Sequence, residues 1–258
     1  LTMGLIMGGM LKGQEAVTIK INGNGPIGNV IVDSNARGEV RGYVDNPHVN
    51  FLRNDGGFHD AYTIGSEGFL DVVKDLRLKE LFTSSITLTG DMAKDFTYYF
   101  YESEQTPSAI SLGVLIDVDN RCKVSGGILF QLLPGATDDT INVLESITAN
   151  MKPASELLQN YKSEEIMKLL FGEDFVLLDR MDVKFNCACD KDSFARGLMT
   201  LGATELEQIL EEDKKIETVC HYCGEKYLFN EDDINKIIKE IKSKWLIRTI
   251  FWILQETF

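Results

Sequence analysis

With 258 residues the chain has room for one large domain or two smaller ones, and a 44% hydrophobic content is enough to build a buried core. A formal charge of −14 at pH 7 excludes an unspecific electrostatic grip on nucleic acid, which depends on Lys and Arg neutralising phosphates. Five cysteines without a secretory leader fit a reducing cytoplasm, where clustered thiols hold metal or do redox work.

The apolar opening, Leu1 to Leu11, is too short to span a bilayer and reads as the end of a helix. From Ala16 to about Leu133 the pattern is β-rich. Val17–Ile21, Val30–Val32, Val40–Val44, Ser85–Leu88 and Phe96–Tyr101 all alternate or run with β-formers. Turn signals separate the first of them: Asn22-Gly23-Asn24-Gly25-Pro26, Asn35-Ala36-Arg37-Gly38 and Asp45-Asn46-Pro47 reverse an antiparallel meander. From Asp138 to Leu170 the period lengthens, with Ile141, Leu144, Ile147, Leu157, Leu158, Ile166, Leu169 and Leu170 at helical spacing. Pro153 marks a helix start there and Gly172 a stop. An acidic helix is expected over Glu205–Glu217, and Gly224–Phe229 reads as a turn followed by a strand. The apolar tail Trp245–Leu254 suits a packed or self-associating helix better than a membrane span, with surface contact through Lys239, Lys242 and Lys244 the weaker reading.

Several constellations imitate functional sites. Gly23-Asn24-Gly25-Pro26-Ile27-Gly28 satisfies the dinucleotide pattern, but the next residues read as a strand where a phosphate cradle needs a helix, so a hairpin turn is expected and no nucleotide. His48 and His59, near Asp55 and Asp60, read as isolated loop histidines. The aromatic run Tyr98–Tyr101 reads as a half-buried strand and not a base-stacking platform. Cys122, between Arg121 and Lys123 and expected on a turn, reads as an incidental thiol.

The remaining four cysteines carry the chemistry. Cys187-Ala188-Cys189 and Cys220-His221-Tyr222-Cys223 together supply four soft ligands, the full tetrahedral shell of a closed structural zinc site. With no open position for water, hydrolysis at the metal is not expected. His221 is a weaker alternative ligand. An extended Cys187-Ala188-Cys189 segment holds its two Cα atoms near the limit for a disulfide, so oxidation there demands a local bend. Zinc in small thiolate sites contributes about 10–16 kcal/mol, and a segment this small has little core of its own, so losing the metal should unfold it. A helical linker packed through Leu157, Leu158, Ile166, Leu169 and Leu170 would then expose an apolar face, which suits the binding of unfolded chains.

Further stretches place the chain beside a known family. Met10-Leu11-Lys12-Gly13, Gly25-Pro26-Ile27-Gly28, Gly38-Glu39-Val40-Arg41-Gly42-Tyr43-Val44, Asn46-Pro47, Val73-Lys74-Asp75-Leu76, Asp95–Phe100 and Ser103–Ala109 accompany the two cysteine pairs. In combination the chain, from Leu1 to about Lys239, resembles the redox-regulated 33 kDa heat shock protein chaperones, ATP-independent bacterial holdases. The resemblance implies that Cys187, Cys189, Cys220 and Cys223 bind one Zn²⁺ per chain when reduced. It further implies that on oxidation they form neighbouring disulfides, that the linker unfolds, and that aggregation-prone clients are captured, commonly by a dimer. It also implies a further strand and helix ahead of residue 1, and it offers no counterpart for the tail after Lys244.

The expected architecture is α+β: a β-rich N-terminal domain with packed helices over residues 1–150, a helical linker over 151–182, a Cys₄ zinc domain over 183–233, and a helix with an apolar tail over 234–258. The expected function is an oxidant-activated chaperone without enzymatic activity, in the cytoplasm, binding unfolded proteins and neither nucleic acid nor membrane. The competing readings are a thiol–disulfide oxidoreductase using Cys220 and Cys223, and a constitutive zinc-stabilised interaction module.

Overall fold

The computed structural model describes residues 1–49, 60–117, 119 and 121–255, with side chains throughout these except at 60 and 244–255. By contacts the chain divides into two compact units, Leu1–Asn186 and Cys187–Phe258.

The first unit opens with α1 (Thr2–Gly9), followed by β1 (Ala16–Gly23), β2 (Asn29–Asn35), β3 (Glu39–Val44), α2 (Asp60–Thr63), β4 (Gly68–Asp75), β5 (Phe82–Thr87), α3 (Met92–Glu102), β6 (Ser108–Ile116) and β7 (Cys122–Gln131). Then come α4 (Asp138–Asn150), α5 (Ala154–Asn160), α6 (Ser163–Phe171) and the two-residue β8 (Lys184–Phe185). Strands β1 to β5 with β8 make a six-stranded sheet in the order β5-β4-β1-β2-β3-β8, antiparallel except where β8 joins β3 in parallel. The expected meander is there, and Gly23–Gly28 is its first turn: β2 pairs with β1 directly after it, so no helix opens at the glycines. β6 and β7 form a separate hairpin.

Alternation explains the sheet. Val17, Ile19 and Ile21 of β1 point to one side and join Val32, Val40, Leu70, Val72 and Ile86 in the main core, while Thr18 on the other side donates to Asp33. α1 lies close on this sheet because it carries glycines where it touches: a Cβ at Gly4 would stand 2.6 Å from Val32 Cγ1, and one at Gly8 2.4 Å from Ser34 Oγ.

The segment Phe96–Tyr101 is a correction. It was expected as a strand and is part of α3, whose buried face is Met92, Asp95, Phe96, Tyr99 and Phe100. That spacing is helical, and the Asp91 side chain caps the helix by accepting from the Lys94 N–H. Tyr98 and Tyr101 are left outward and exposed. Asp95 is buried at 1% exposure and accepts from the Thr89 N–H and hydroxyl and the Gly90 N–H, so its charge is fully hydrogen-bonded.

Helices α4, α5 and α6 occupy the stretch expected to be helical, with Pro153 as the N-cap of α5 and Gly172 as the C-cap of α6. α5 packs on the β6–β7 hairpin through Ala154 and Leu157, both buried, and Ile166 of α6 is buried as well. Leu169 is 55% exposed, so it does not share in that packing.

The second unit holds α7 (Lys191–Leu198), a 3₁₀ turn (Met199–Leu201), α8 (Ala203–Glu212), the β9 (Ile216–Val219) and β10 (Lys226–Phe229) hairpin, and α9 (Glu231–Gln255). The acidic helix therefore stops at Glu212, because β-branched Ile216, Thr218 and Val219 form β9. Only Leu206, Phe229, Ile234, Ile237 and Ile238 form its fully buried core among the described residues, with Phe194, Leu198, Leu210 and Tyr227 around them. The packing of the tail Trp245–Leu254 lies outside the described side chains. Among the described residues no helix is long and apolar enough to cross a membrane.

Candidate metal centre

The two cysteine pairs arrive from different local structures. Cys187 and Cys189 lie on an irregular segment that ends at Asp190, the N-cap of α7, whose carboxylate accepts from the Ser193 N–H at 2.6 Å. Cys220 and Cys223 occupy the loop between β9 and β10. That loop is closed by Gly224 N–H donating to Cys220 O at 2.8 Å and Cys220 N–H donating to Glu225 O at 2.9 Å. Gly224 has φ +75°, a backbone angle that a side chain disfavours, so this position needs glycine.

The four sulfurs converge within 4.8 Å of one another. Cys187 Sγ is 3.6 Å from Cys220 Sγ, and Cys189 Sγ is 3.4 Å from Cys223 Sγ. A tetrahedral Zn²⁺ with Zn–S bonds of about 2.3 Å needs sulfurs about 3.8 Å apart, so the residues present fit that ion. Cys220 is buried, Cys187 and Cys189 are half-buried and Cys223 is exposed, which leaves the cluster reachable by a small oxidant. All four are free thiols.

The electrostatics differ from sulfur to sulfur. Burial raises the Cys220 thiol, but the N–H groups of Cys223 and Tyr222 and the facing sulfurs outweigh it and bring it down to about 7. Burial also raises Cys187, and there the net shift is upward. The Glu225 N–H favours the Cys223 thiolate, yet the neighbouring Cys189 and Cys220 sulfurs push that thiol up to about 12. The Tyr227 hydroxyl, hydrogen-bonded to Cys189, is pushed upward too. Cys220 is thus shifted downward, while Cys187 and Cys223 are shifted upward.

His221 is exposed and is not part of the sulfur group. Cys122 is exposed at the first residue of β7, paired with Ile116, so it sits on a strand and not on the expected turn. His48 is exposed; His59 and Asp55, and the side chain of Asp60, lie outside the described residues. Two positions escaped sequence reasoning. Asp190 was legible as an Asp three residues before Ser193, an N-cap spacing. Tyr227 was not, because only the β9–β10 register puts its hydroxyl beside Cys189.

The model of the Hsp33 protein family matches residues 1–230. The chain belongs to the Hsp33 family. Among its Hsp33 relatives, the 33 kDa chaperonin of Bacillus cereus is 44% identical over 245 residues, covering 93% of this chain and 84% of that protein. That of Bacillus licheniformis is 43% identical over 244 residues with the same coverage. The crystal structure of the Hsp33 homologue from Thermotoga maritima superposes with a TM-score of 0.84 at 35% identity, over 93% of this chain and 82% of that one. The α+β arrangement with a C-terminal cysteine cluster is thus an Hsp33 fold.

Proposed function

We propose that this Hsp33-family chaperone is a redox-switched holdase, closed while Cys187, Cys189, Cys220 and Cys223 are reduced and opened when they are oxidised. The observation that carries the proposal is the convergence of four reduced sulfurs on a unit with a very small apolar core. Zinc, when bound, ties the four thiolates into one closed tetrahedral shell without a free coordination position. Each disulfide formed from two thiols gives up two electrons and two protons, and one peroxide takes them to become two waters. Sulfur held in disulfides no longer ligates metal, and the unit loses its chief support.

The change is communicated along the chain. Cys187 follows Asn186, whose N–H donates to Val40 O, and the two-residue β8 before it is held by that bond, by Lys184 N–H to Gly38 O and by the Lys184–Glu39 ion pair. A bend imposed on Cys187–Cys189 works against those bonds. Upstream, the linker over 151–182 would come free and uncover Leu157 and Ile166 beside the already exposed Leu169, Val176 and Leu178. Apolar surface of that kind binds the exposed cores of unfolding proteins in a cytoplasm that has turned oxidising, and self-association of two activated chains would partly cover it.

The oxidoreductase reading has less support. Cys220 and Cys223 lie in a β-hairpin loop, without the helix N-terminus that activates a thioredoxin-type dithiol, and the more acidic Cys220 is the buried one. The deciding experiment treats the zinc-loaded chain with peroxide and follows metal with a dye while scoring aggregation of a heat-unfolded client. Release accompanied by new protection is expected. Equal protection before and after oxidation would reject the switch in favour of a constitutive module.

A further inference from the structure

From the last residue of β7 to the end of α4, residues 131–150 contain Asp138, Asp139 and Glu145 but no Lys, Arg or His. α4 is amphipathic, yet none of its residues is buried. Its Val143, Leu144 and Ile147 line a groove of about 1010 Å³ together with Leu170 and Phe171 of α6. Phe171 is seated there against Phe130 of β7, edge to face at 5.9 Å. A groove of that size takes several side chains at once. Two carboxylates, Asp139 and Asp174, border it, and among the described residues neither is ion-paired. Asp139 in the first turn of α4 complements the helix dipole, whereas Asp174 follows the C-terminal end of α6, where the dipole favours a cation. Lys168, the one cation of α6, is paired with Glu173 at 3.7 Å instead.

We propose that, while the chain is reduced, this groove binds an apolar peptide segment of a partner protein flanked by a basic residue, and that the bound segment holds the linker closed. The apolar walls select aliphatic and aromatic side chains, and the two carboxylates select Lys or Arg beside them. The chain's own apolar run at 175–178 is bounded by Asp174 and Asp179, so it matches the walls and opposes the charge. The hold on the linker rests on the switch proposed above. Phe130 and α4 precede the linker over 151–182, whereas Leu170, Phe171 and Asp174 belong to it. A segment that touches both must let go before the linker comes free, so its binding favours the closed state by mass action. Opening in turn removes one side of the site, and affinity must fall on oxidation.

The test uses the full, zinc-loaded chain and two fluorescein-labelled probes that share a Leu-Val-Phe-Leu core, one flanked by lysines and the other by glutamates. In anisotropy titrations of the reduced chain the lysine-flanked probe should bind several-fold more tightly, and Asp139→Asn combined with Asp174→Asn should remove most of that preference. Added salt should remove it as well, without any variant. Equal affinities of the two probes would overturn the proposal. After peroxide the lysine-flanked probe should bind several-fold more weakly; tighter binding would mean that it is taken up as a client, and would overturn the proposal too. At about ten times its Kd the probe should slow the peroxide-induced rise of hydrogen exchange over residues 163–171 about 10-fold, and an unslowed rise would refute the hold on the linker. A gain in probe affinity on Val176→Ser with Leu178→Ser would place the chain's own strap in the groove, and a reduced dimer that the probe dissociates would place a second copy there. Either result rejects the partner. Failure of the switch itself shows separately, as a chain that gains no client protection after peroxide without probe, whatever the two probes do on the reduced chain.

Discussion

Gly113 and Gly126 face each other across the β6–β7 hairpin, and α5 sits where their side chains would be. A Cβ at Gly113 would stand 2.3 Å from the Ser155 backbone nitrogen, and one at Gly126 2.3 Å from Leu158 Cδ1. Backbone cannot yield as a leucine tip can. Gly113→Ala should therefore lift α5 and raise client protection in the reduced chain, while Gly126→Ala should do so only slightly. Hydrogen exchange over residues 154–171 would check the order; equal protection in both variants contradicts it.

Leu157 of α5 is 1% exposed, whereas Leu169 of α6 is 55% exposed. Leu157→Ala should cost about 2–5 kcal/mol by leaving a cavity, and Leu169→Ala less than about 0.5 kcal/mol. Urea unfolding followed by a probe on the first unit measures both. The first variant should also bind clients without peroxide.

Removing the carboxylate of buried Asp95 leaves the buried Gly90 N–H without that acceptor and returns the N–H and hydroxyl of the exposed Thr89 to solvent. Asp95→Ala is expected to lower stability by about 1–3 kcal/mol, and Asp95→Asn by less because one acceptor remains. The shift in urea midpoint reports it, and metal content should be unchanged.

Glu39 holds the edge where β8 joins the sheet, hydrogen-bonded to the Asn35 amide and ion-paired to Arg37 and to Lys184 at 3.3 Å. The Asn35 amide foremost, then Arg37 and Lys184, hold its carboxyl down from 4.5 to about 2. Because the folded value is the lower one, the stabilisation is complete above pH 4.5 and fades as the pH falls from there to about 2. Stability curves of wild type and Glu39→Gln should therefore converge over that range; a constant offset would count against the contact.

Stripping the metal should unfold the second unit and free residues 151–182, while sparing the sheet and hairpin that precede them. The second unit's buried core of Leu206, Phe229, Ile234, Ile237 and Ile238 is small beside the contribution of about 10–16 kcal/mol of a thiolate zinc site. Far-UV circular dichroism and proteolysis after chelation would show residues 151–243 digested with the 1–150 fragment intact. Cys220→Ser should give the same pattern without a chelator.

Much of this architecture is written in local pattern. Alternation in Val17–Ile21 and Val40–Val44, the Asn/Gly turns and Pro153 all act over a few residues, and the strands and helix start appear where those signals place them. α3 failed because the aromatic run Tyr98–Tyr101 favours strand by residue type, while its helical spacing from Met92 to Phe100 needed Asp91 to be recognised as a cap. The sulfur quartet was legible because soft ligands at close spacing have few other uses. The glycine seat of α5 and the Tyr227–Cys189 contact were not, since both depend on strand register between residues far apart in sequence.

Departure of β8 would do more than slacken a tether. It covers Glu39 and Val40 at the outer margin of the six-stranded sheet, and without it their backbone groups join the rest of β3 as an open row of donors and acceptors. An unfolding polypeptide in extended form could be stitched onto that row by main-chain hydrogen bonds, which ask nothing of its side chains. Sequence-blind capture would then come from the peptide bond itself as much as from greasy contact.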